Sequence, residues 1–271
     1  MVVVAVLGSA VALRAPAATA TARWVPRPGL RWQVQLQGKV RTNLCAVPYG
    51  KSSCVRPQVY DIDLYAKDGV TLNNTAVTAI HAAGAHAVCY VDAGTWEDWR
   101  PDASAYPASV LGAGNGWPGE RWVDIRDTGV LLPIVGARVA KCVRAGFDAV
   151  DFDNVDGYEN HTGFPLTAAE QLTFNTDLAG IAHAAGLSVG LKNDVGQLTQ
   201  LEATFDFAVN EQCAQYDECA DYDGWTAARK AVVEIEYHLK AKRLCPAADA
   251  GGRDAVLKNL ALRATPWKPC R

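Results

Sequence analysis

Acidic side chains that could do chemistry stand in the stretch Gly146–Tyr158, which reads GFDAVDFDNVDGY. Apolar residues at 150 and 152 alternate there with Asp151 and Asp153, so a β-strand would place both carboxylates on one face. Two carboxylates on one face of a strand are costly unless that face opens on water or a ligand. The pattern therefore predicts that the carboxyl end of this strand forms the floor of an active site.

Other apolar segments of the chain also finish on acids. Residues 86–92 read HAVCYVD and residues 205–211 read FDFAVNE, and each is typical of a buried strand with a polar end. A single acid in such a place can be the cap of the next helix, but acids at five strand ends favour one shared site. The polar residues at the predicted strand ends are Gln35, Gln37, Asp61, Asp63, Asp92, Asp151, Asp153, Asn154, Lys192, Asn193, Asp194, Asn210, Glu211, Glu234 and Glu236.

Helices and strands alternate along the chain, which predicts the fold that positions these residues. Ala-Gly pairs at 83–84, 145–146 and 185–186 each end a predicted helix and precede an apolar strand. About eight strands in this length favour an α/β protein with a (β/α)8 TIM barrel in a single domain. The last helix is predicted near 252–259 and the eighth strand at 260–262. A doubly wound open sheet is the alternative, but its glycine fingerprint is missing.

The first 22 residues predict a cleaved secretory signal peptide, which leaves residues 23–271 as the mature catalytic domain. They hold one charge, Arg14, together with the apolar run Val2–Leu13, and they end in Ala-Thr-Ala. The apolar run is shorter than the ~20 residues that span a membrane. We therefore expect a secreted, extracellular protein without stable membrane association.

Eight cysteines favour disulfides in a secreted chain. Cys45 with Cys54, Cys213 with Cys219, and Cys245 with Cys270 are close enough in sequence to form loop-closing pairs. Cys89 lies in an apolar strand and Cys142 in a helix, so either could be a buried free thiol. A structural metal is disfavoured because no CxxC or HExxH spacing occurs.

The predicted loop 93–120 carries Trp96, Trp99, Tyr106 and Trp117. Loops longer than about 15 residues in a compact domain are usually functional. Clustered aromatic side chains suit stacking against sugar faces, and the alternative is that they form a small core of the loop itself.

An acid-dominated pocket suits glycoside hydrolysis. One carboxyl group protonates the leaving oxygen, and a second acts as nucleophile or as the base for water. Calcium binding by the aspartates at 151, 153 and 156 is an alternative, although Val155 interrupts the EF-hand pattern. Lys192 could form a Schiff base, but among so many acids we expect it to be an ion-pair or hydroxyl-binding partner.

The run FDAVDFDNVDGY at 147–158 resembles the signature of glycoside hydrolase family 114, the secreted endo-α-1,4-polygalactosaminidases. Other similar segments follow in the same order over residues 30–270, among them NEQC at 210–213 with EC at 218–219. The resemblance implies a (β/α)8 barrel that cleaves galactosamine-containing polysaccharide without a cofactor. It implies Asp153 and Glu211 as the catalytic pair, with Glu236 in reserve. Phe152 replaces a commoner proline and Asp151 a commoner glutamate, and neither change removes a carboxylate.

Such a substrate is a cationic amino-sugar polymer, which fits the acid surplus of the chain. The net charge of −3 disfavours nucleic acid as a partner, and we expect a monomer. We expect these residues to bind substrate: Asp61, Asp63, Asp92, Asp151, Asn154, Lys192, Asn193, Glu236 and Trp99. The alternatives are a catalytically inactive carbohydrate-binding barrel and a glycosidase for a different sugar polymer.

Overall fold

The computed structural model describes residues 23–271, so the predicted signal peptide, residues 1–22, lies outside the described residues. In chain order the strands are β1 (Trp32–Gln35), β2 (Val59–Asp63), β3 (His86–Asp92), β4 (Thr95–Glu97), β5 (Leu111–Gly114), β6 (Glu120–Val123), β7 (Ala149–Asp153), β8 (Ser188–Lys192), β9 (Phe207–Glu211), β10 (Val232–Glu236), β11 (Asp254–Leu257) and β12 (Lys268–Pro269). The α-helices are α1 (Asn74–Ala82), α2 (Thr128–Ala145), α3 (Ala168–Ala184), α4 (Leu198–Leu201), α5 (Cys213–Tyr216), α6 (Asp223–Ala227) and α7 (Ala241–Ala250).

One large sheet runs in the order β1-β2-β3-β7-β8-β9-β10-β11-β12, and all neighbours are parallel except β11 with β12. The segment after β11 brings β1 and β11 together. The backbone N–H of Leu36 donates to the carbonyl of Leu262 at 2.9 Å, and Nζ of Lys258 donates to Oε1 of Gln33 at 2.7 Å. The eight parallel strands thus form a nearly closed barrel in one domain, which confirms the predicted α/β TIM barrel.

Local signals in the sequence explain where the long helices begin and end. Thr167 and Glu170 form a capping box at the start of α3. Gly146 ends α2 with φ of 90°, a left-handed conformation that suits glycine. No helix among residues 23–271 is long and apolar enough to cross a membrane.

Two expectations about the elements are wrong. Residues 252–259 are not a helix, because α7 ends at Ala250 and Asp254–Leu257 is the eighth barrel strand, while 260–262 form a turn. A short apolar run does not distinguish a buried strand from a buried helix by its period. The predicted loop 93–120 also contains structure, because β4, β5 and β6 form an antiparallel sheet in the order β4-β6-β5 beyond the end of β3.

Four disulfides tie the described part of the chain together. The predicted pairs Cys45–Cys54, Cys213–Cys219 and Cys245–Cys270 are confirmed. The expectation that Cys89 or Cys142 is a free thiol is wrong, because the two are bonded to each other. Cys89 points from β3 towards α2, which packs on the outside of the barrel, and the Cα atoms lie 6.0 Å apart.

Buried apolar side chains fill the lower interior of the barrel. They include Val34, Val59, Val88 and Phe207, one from each of four strands. Gly190 of β8 makes room for the Phe207 ring, since a Cβ atom on Gly190 would lie 2.5 Å from it. This packed interior supports the polar residues at the carboxyl ends of the strands.

Candidate active site

A cleft of about 580 Å³ opens at the carboxyl ends of the barrel strands. Its polar floor comes from residues at or just after the ends of β7, β8, β9 and β10. The cleft residues used below are Asp63, Tyr90, Glu97, Trp99, Trp117, Glu120, Asp153, Asn154, Asp156, Lys192, Asn193, Glu211 and Tyr237. Active sites of TIM-barrel enzymes lie at this face of the fold.

Lys192 joins the two carboxylates that the sequence singles out. Its Nζ lies 2.9 Å from Oδ1 of Asp153 and 3.6 Å from Oε2 of Glu211. The three residues end strands β7, β8 and β9, so barrel closure alone brings residues 58 positions apart in sequence into one site. The expectation that Lys192 is an ion-pair partner agrees with these contacts.

A tyrosine hydroxyl holds each carboxylate in place. The Tyr90 hydroxyl donates to Oδ2 of Asp153 at 2.6 Å, and the Tyr237 hydroxyl donates to Oε1 of Glu211. Burial opposes ionisation of Asp153, but Lys192, the Tyr90 hydroxyl and the backbone N–H of Asn154 outweigh it and lower its pKa. Burial also opposes the charge of Lys192, but the carboxylates of Asp153 and Glu211 outweigh burial and raise the pKa of Lys192 well above its usual value. Asp153 is therefore an anion and Lys192 a cation at neutral pH.

Two asparagines turn the chain away from the strand ends. Asn154 follows β7 with φ of 58° and Asn193 follows β8 with φ of 48°, left-handed values that asparagine tolerates better than most residues. Oδ1 of Asn193 accepts the backbone N–H of Glu211 at 3.0 Å. A Cβ atom on Gly94 would lie 1.6 Å from the carbonyl oxygen of Asn154, so only glycine allows this close approach.

Four carboxyl groups expected to bind substrate do not line the cleft. Asp61, Asp92 and Asp151 are 1% exposed and Glu236 is fully buried. Direct contact with substrate is therefore excluded for these four in this conformation, and we revise that expectation. Asp61 and Asp151 face the barrel interior beneath Lys192. Burial raises the pKa of both carboxyl groups, and the positive charge of Lys192 opposes that rise.

Asp92 and Glu236 have structural partners instead. Oδ2 of Asp92 accepts from Nδ2 of Asn154 at 2.7 Å and Oδ1 accepts the backbone N–H of Thr95 at 2.8 Å, so Asp92 holds the two segments above it together. Glu236 accepts the backbone N–H of Ala214 at 2.8 Å on the outer face of β10. The neighbouring Tyr237 points into the barrel, because successive side chains of a strand point to opposite faces.

Asp63 lines the cleft but is already paired. Both of its carboxylate oxygens accept from Arg100 at 2.8 Å, and Nε of Arg100 also donates to Glu97 at 2.6 Å. This buried network fixes β4 against the end of β2. Asp63 and Glu97 are therefore neutralised within the wall of the cleft.

Some aromatic residues of segment 93–120 are placed to stack against sugars, and others form a small core of the segment itself. Trp99 is 46% exposed and Trp117 is 59% exposed, and both line the cleft. Tyr106 is buried, and Nε1 of Trp96 donates to the carbonyl of Ala103 at 3.0 Å, so these two stabilise the segment itself. The exposed pair can stack against sugar rings.

Five cleft residues are not among the site residues expected from the sequence, namely Tyr90, Glu97, Glu120, Asp156 and Tyr237. Tyr90 stands two positions before Asp92, so strand alternation places it on the inward face. Tyr237 follows Glu236, the acid expected at the same strand end. Glu97 and Glu120 lie on β4 and β6, in a sheet that the aromatic-rich sequence does not predict. Asp156 enters the expectations only through the calcium alternative.

The described residues do not assemble a calcium site or the site of a serine hydrolase. The calcium alternative needs Asp151 and Asp153 together, but Asp153 pairs with Lys192 and Asp151 is buried beneath it. Carboxylates of Asp92, Glu97 and Glu120 approach within 4.8 Å of one another, but Arg100 already pairs with Glu97. Residues 186–190 match the GxSxG pattern of serine hydrolases, but Ser188 is buried at the opposite end of β8 and its hydroxyl donates to the carbonyl of Trp24.

Solved structures of similar proteins share this fold. The crystal structure of Aspergillus fumigatus Ega3 in complex with galactosamine has a TM-score of 0.79 and 33% identity, covering 92% of this chain and 98% of that one. The glycoside hydrolase domain of PelA from Pseudomonas aeruginosa has a TM-score of 0.63 at 13% identity, covering 89% and 98%, and shares the fold. An uncharacterized protein of Deinococcus radiodurans is 28% identical over 227 residues, 76% of this chain and 71% of that protein.

The fold is that of a glycoside hydrolase barrel. Residues 13–270 match the model of glycoside-hydrolase family GH114, and the chain belongs to that family. The resemblance seen in the sequence is thereby confirmed, and the protein is a glycoside hydrolase.

Proposed function

We propose that this protein is a secreted endo-acting glycosidase that cleaves α-1,4-linked galactosamine-containing polysaccharide with Asp153 and Glu211. The observation that carries the proposal is the placement of these two carboxylates on one lysine at the floor of an open cleft. The galactosamine bound to the 33% identical Ega3 supports the choice of an amino sugar. The four disulfides of residues 23–271 support an oxidising compartment.

The surroundings of the two carboxylates suggest different roles. Asp153 accepts from Lys192, Tyr90 and the backbone N–H of Asn154, which favours its anion and makes it a poor proton donor. We therefore assign Asp153 as the nucleophile. Glu211 is then the acid that protonates the leaving glycosidic oxygen and later the base that accepts a proton from water.

The shared lysine also bears on stereochemistry. Contacts of 2.9 Å and 3.6 Å to one Nζ atom limit the separation of Oδ1 of Asp153 and Oε2 of Glu211 to about 6.5 Å. Retaining glycosidases hold the two carboxyl groups ~5–5.5 Å apart, whereas inverting enzymes leave ~6.5–9.5 Å for a water molecule. The contacts favour retention through a glycosyl-enzyme ester on Asp153, and proton NMR of the first-formed anomer tests it.

Substrate ammonium groups need carboxylates that are exposed and not yet paired. Glu120 and Asp156 line the cleft, and neither forms an ion pair with another described residue. Burial and the nearby Asp153 raise the pKa of Asp156 to about 6, and burial also raises the pKa of Glu120. An ammonium group at either position would relieve that cost by a charge-assisted hydrogen bond.

The test is product analysis by mass spectrometry after purified protein is mixed with a panel of polysaccharides. The panel contains deacetylated and N-acetylated α-1,4-galactosaminans and matched neutral polymers. We expect internal fragments from the deacetylated polymer. Fragments from a neutral polymer alone would indicate a different sugar specificity, and binding without fragments from any polymer would indicate an inactive carbohydrate-binding barrel.

A further inference from the structure

Two buried carboxyl groups lie beneath the catalytic pair, in the barrel interior. Asp61 of β2 and Asp151 of β7 are each 1% exposed, and they lie within hydrogen-bonding reach of one another. Oδ1 of each is buried and finds no hydrogen-bond donor among residues 23–271. Two carboxylates in contact can form a hydrogen bond only if one of them carries a proton.

Lys192 is the positive charge that acts on this pair from the surrounding strands. The titratable groups that face the pair or the layer just above it are Asp63 on β2, Tyr90 and Asp92 on β3, Asp153 on β7, Lys192 on β8, Glu211 at the end of β9 and Tyr237 after β10. Asp63 is neutralised by Arg100. Below the pair the interior is apolar, with Val34, Val59 and Val88. A negative charge on the pair therefore attracts the ammonium group of Lys192.

We propose that Asp61 and Asp151 share one proton and that the remaining negative charge positions Lys192 between Asp153 and Glu211. The pair would act on the reaction through Lys192 and would not touch substrate, so both aspartates are positioning residues. This inference rests on the proposed catalytic roles of Asp153 and Glu211. It assigns a role to two acids that the cleft leaves unused.

The pKa directions agree with a retained proton. Burial, Asp151 and other acids raise the pKa of Asp61 well above its usual value, and burial raises the pKa of Asp151 to about 7. Both directions favour a proton that remains on the pair. Two ionised carboxylates buried side by side would otherwise carry an uncompensated desolvation cost.

Asparagine imitates a protonated aspartate in shape and as a hydrogen-bond donor, which gives a sharp test. Asp61→Asn or Asp151→Asn replaces the shared proton with an amide donor and keeps one negative charge, so each should lower kcat no more than about fivefold. The double variant keeps a hydrogen bond but loses the charge, and it should lower kcat at least about fiftyfold. KM should stay within about twofold of wild type, because neither aspartate is exposed to substrate.

Infrared difference spectra of wild type against each single variant at about pH 8 test the proton without any assay of activity. We expect the carbonyl band of one protonated carboxylic acid in wild type and its loss in both single variants. Failure to see the band overturns the shared proton. A double variant that keeps the wild-type kcat, or whose loss of activity lies in KM, overturns the positioning role, and so does a single variant as damaging as the double. If wild type cleaves no polymer, the proposed function fails while the infrared result still decides the protonation.

Discussion

Tyr90 donates its hydroxyl to Oδ2 of Asp153 at 2.6 Å, while Lys192 contacts the other oxygen of the same carboxylate. These donors, with a backbone N–H, lower the pKa of Asp153 against the effect of burial. The carboxylate that we propose as the nucleophile is thus ionised before substrate arrives.

Tyr90→Phe removes one donor and should raise the pKa of Asp153. A hydrogen bond to a charged group contributes about 1.5–3 kcal/mol, which corresponds to about one to two pH units. Because Asp153 must be ionised to react, activity should fail at a higher pH on the acid side than in wild type. A pH profile of kcat/KM measures the shift. Tyr60→Phe is the control, since Tyr60 is a buried tyrosine of β2 that does not line the cleft, and an equal shift there would refute the assignment.

Glu120→Gln should weaken binding of the cationic polymer. The loss of an unpaired cleft carboxylate should raise KM for deacetylated substrate by roughly tenfold, the effect of about 1.4 kcal/mol, with little change in kcat. KM for an N-acetylated oligomer should stay the same because no ammonium group is present. Asp177→Asn on α3 removes the same charge away from the cleft and serves as control. Equal KM changes in the two variants would count against a local ammonium site.

The sequence was sufficient for the fold class and for the strand ends that carry the proposed catalytic pair. Acids at 153 and 211 follow apolar strands, and such strands in a barrel end at one face. The sequence did not predict which side chains at the rim of the barrel face inward. Glu236 and Tyr237 are adjacent, and a shift of one position decides which of them faces inward. The exposure of Asp61 and Asp151 depends on their depth below the carboxyl ends of the strands. Only the three-dimensional structure of the barrel shows that depth.

The Cys89–Cys142 disulfide was not predicted because its two residues come from a strand and a helix with no short spacing. Its loop of 53 residues should make it a strong constraint on the unfolded chain. The chain-entropy relation gives about 4 kcal/mol for this loop and about 2 kcal/mol for the 6-residue separation of Cys213 and Cys219. Replacing both Cys89 and Cys142 by alanine should therefore lower the free energy of unfolding more than the same change at Cys213 and Cys219. Denaturant titration of both variants checks the order, and the reverse order would contradict it.

Gly190→Ala should destabilise the barrel interior. The new Cβ atom would lie 2.5 Å from the Phe207 ring, and overpacking of this kind costs about 1–3 kcal/mol. Gly180→Ala is the matched control, because Gly180 lies in α3 with nothing within 4 Å of its Cβ position. There alanine should be neutral or stabilising by about 0.5–1 kcal/mol. Melting temperatures of the two variants compare them directly, and an undiminished value for Gly190→Ala would show that Phe207 can move aside.

The central claim is that Asp153 and Glu211 together hydrolyse the glycosidic bond of an amino-sugar polymer. The most direct test is the rate of fragment release from deacetylated α-1,4-galactosaminan by wild type, Asp153→Asn, Glu211→Gln and the Asp177→Asn control. We predict a kcat at least about 1,000-fold lower in each of the two active-site variants, with circular dichroism unchanged and the control fully active. If either variant keeps a kcat within about tenfold of wild type, the assignment of that carboxylate is contradicted.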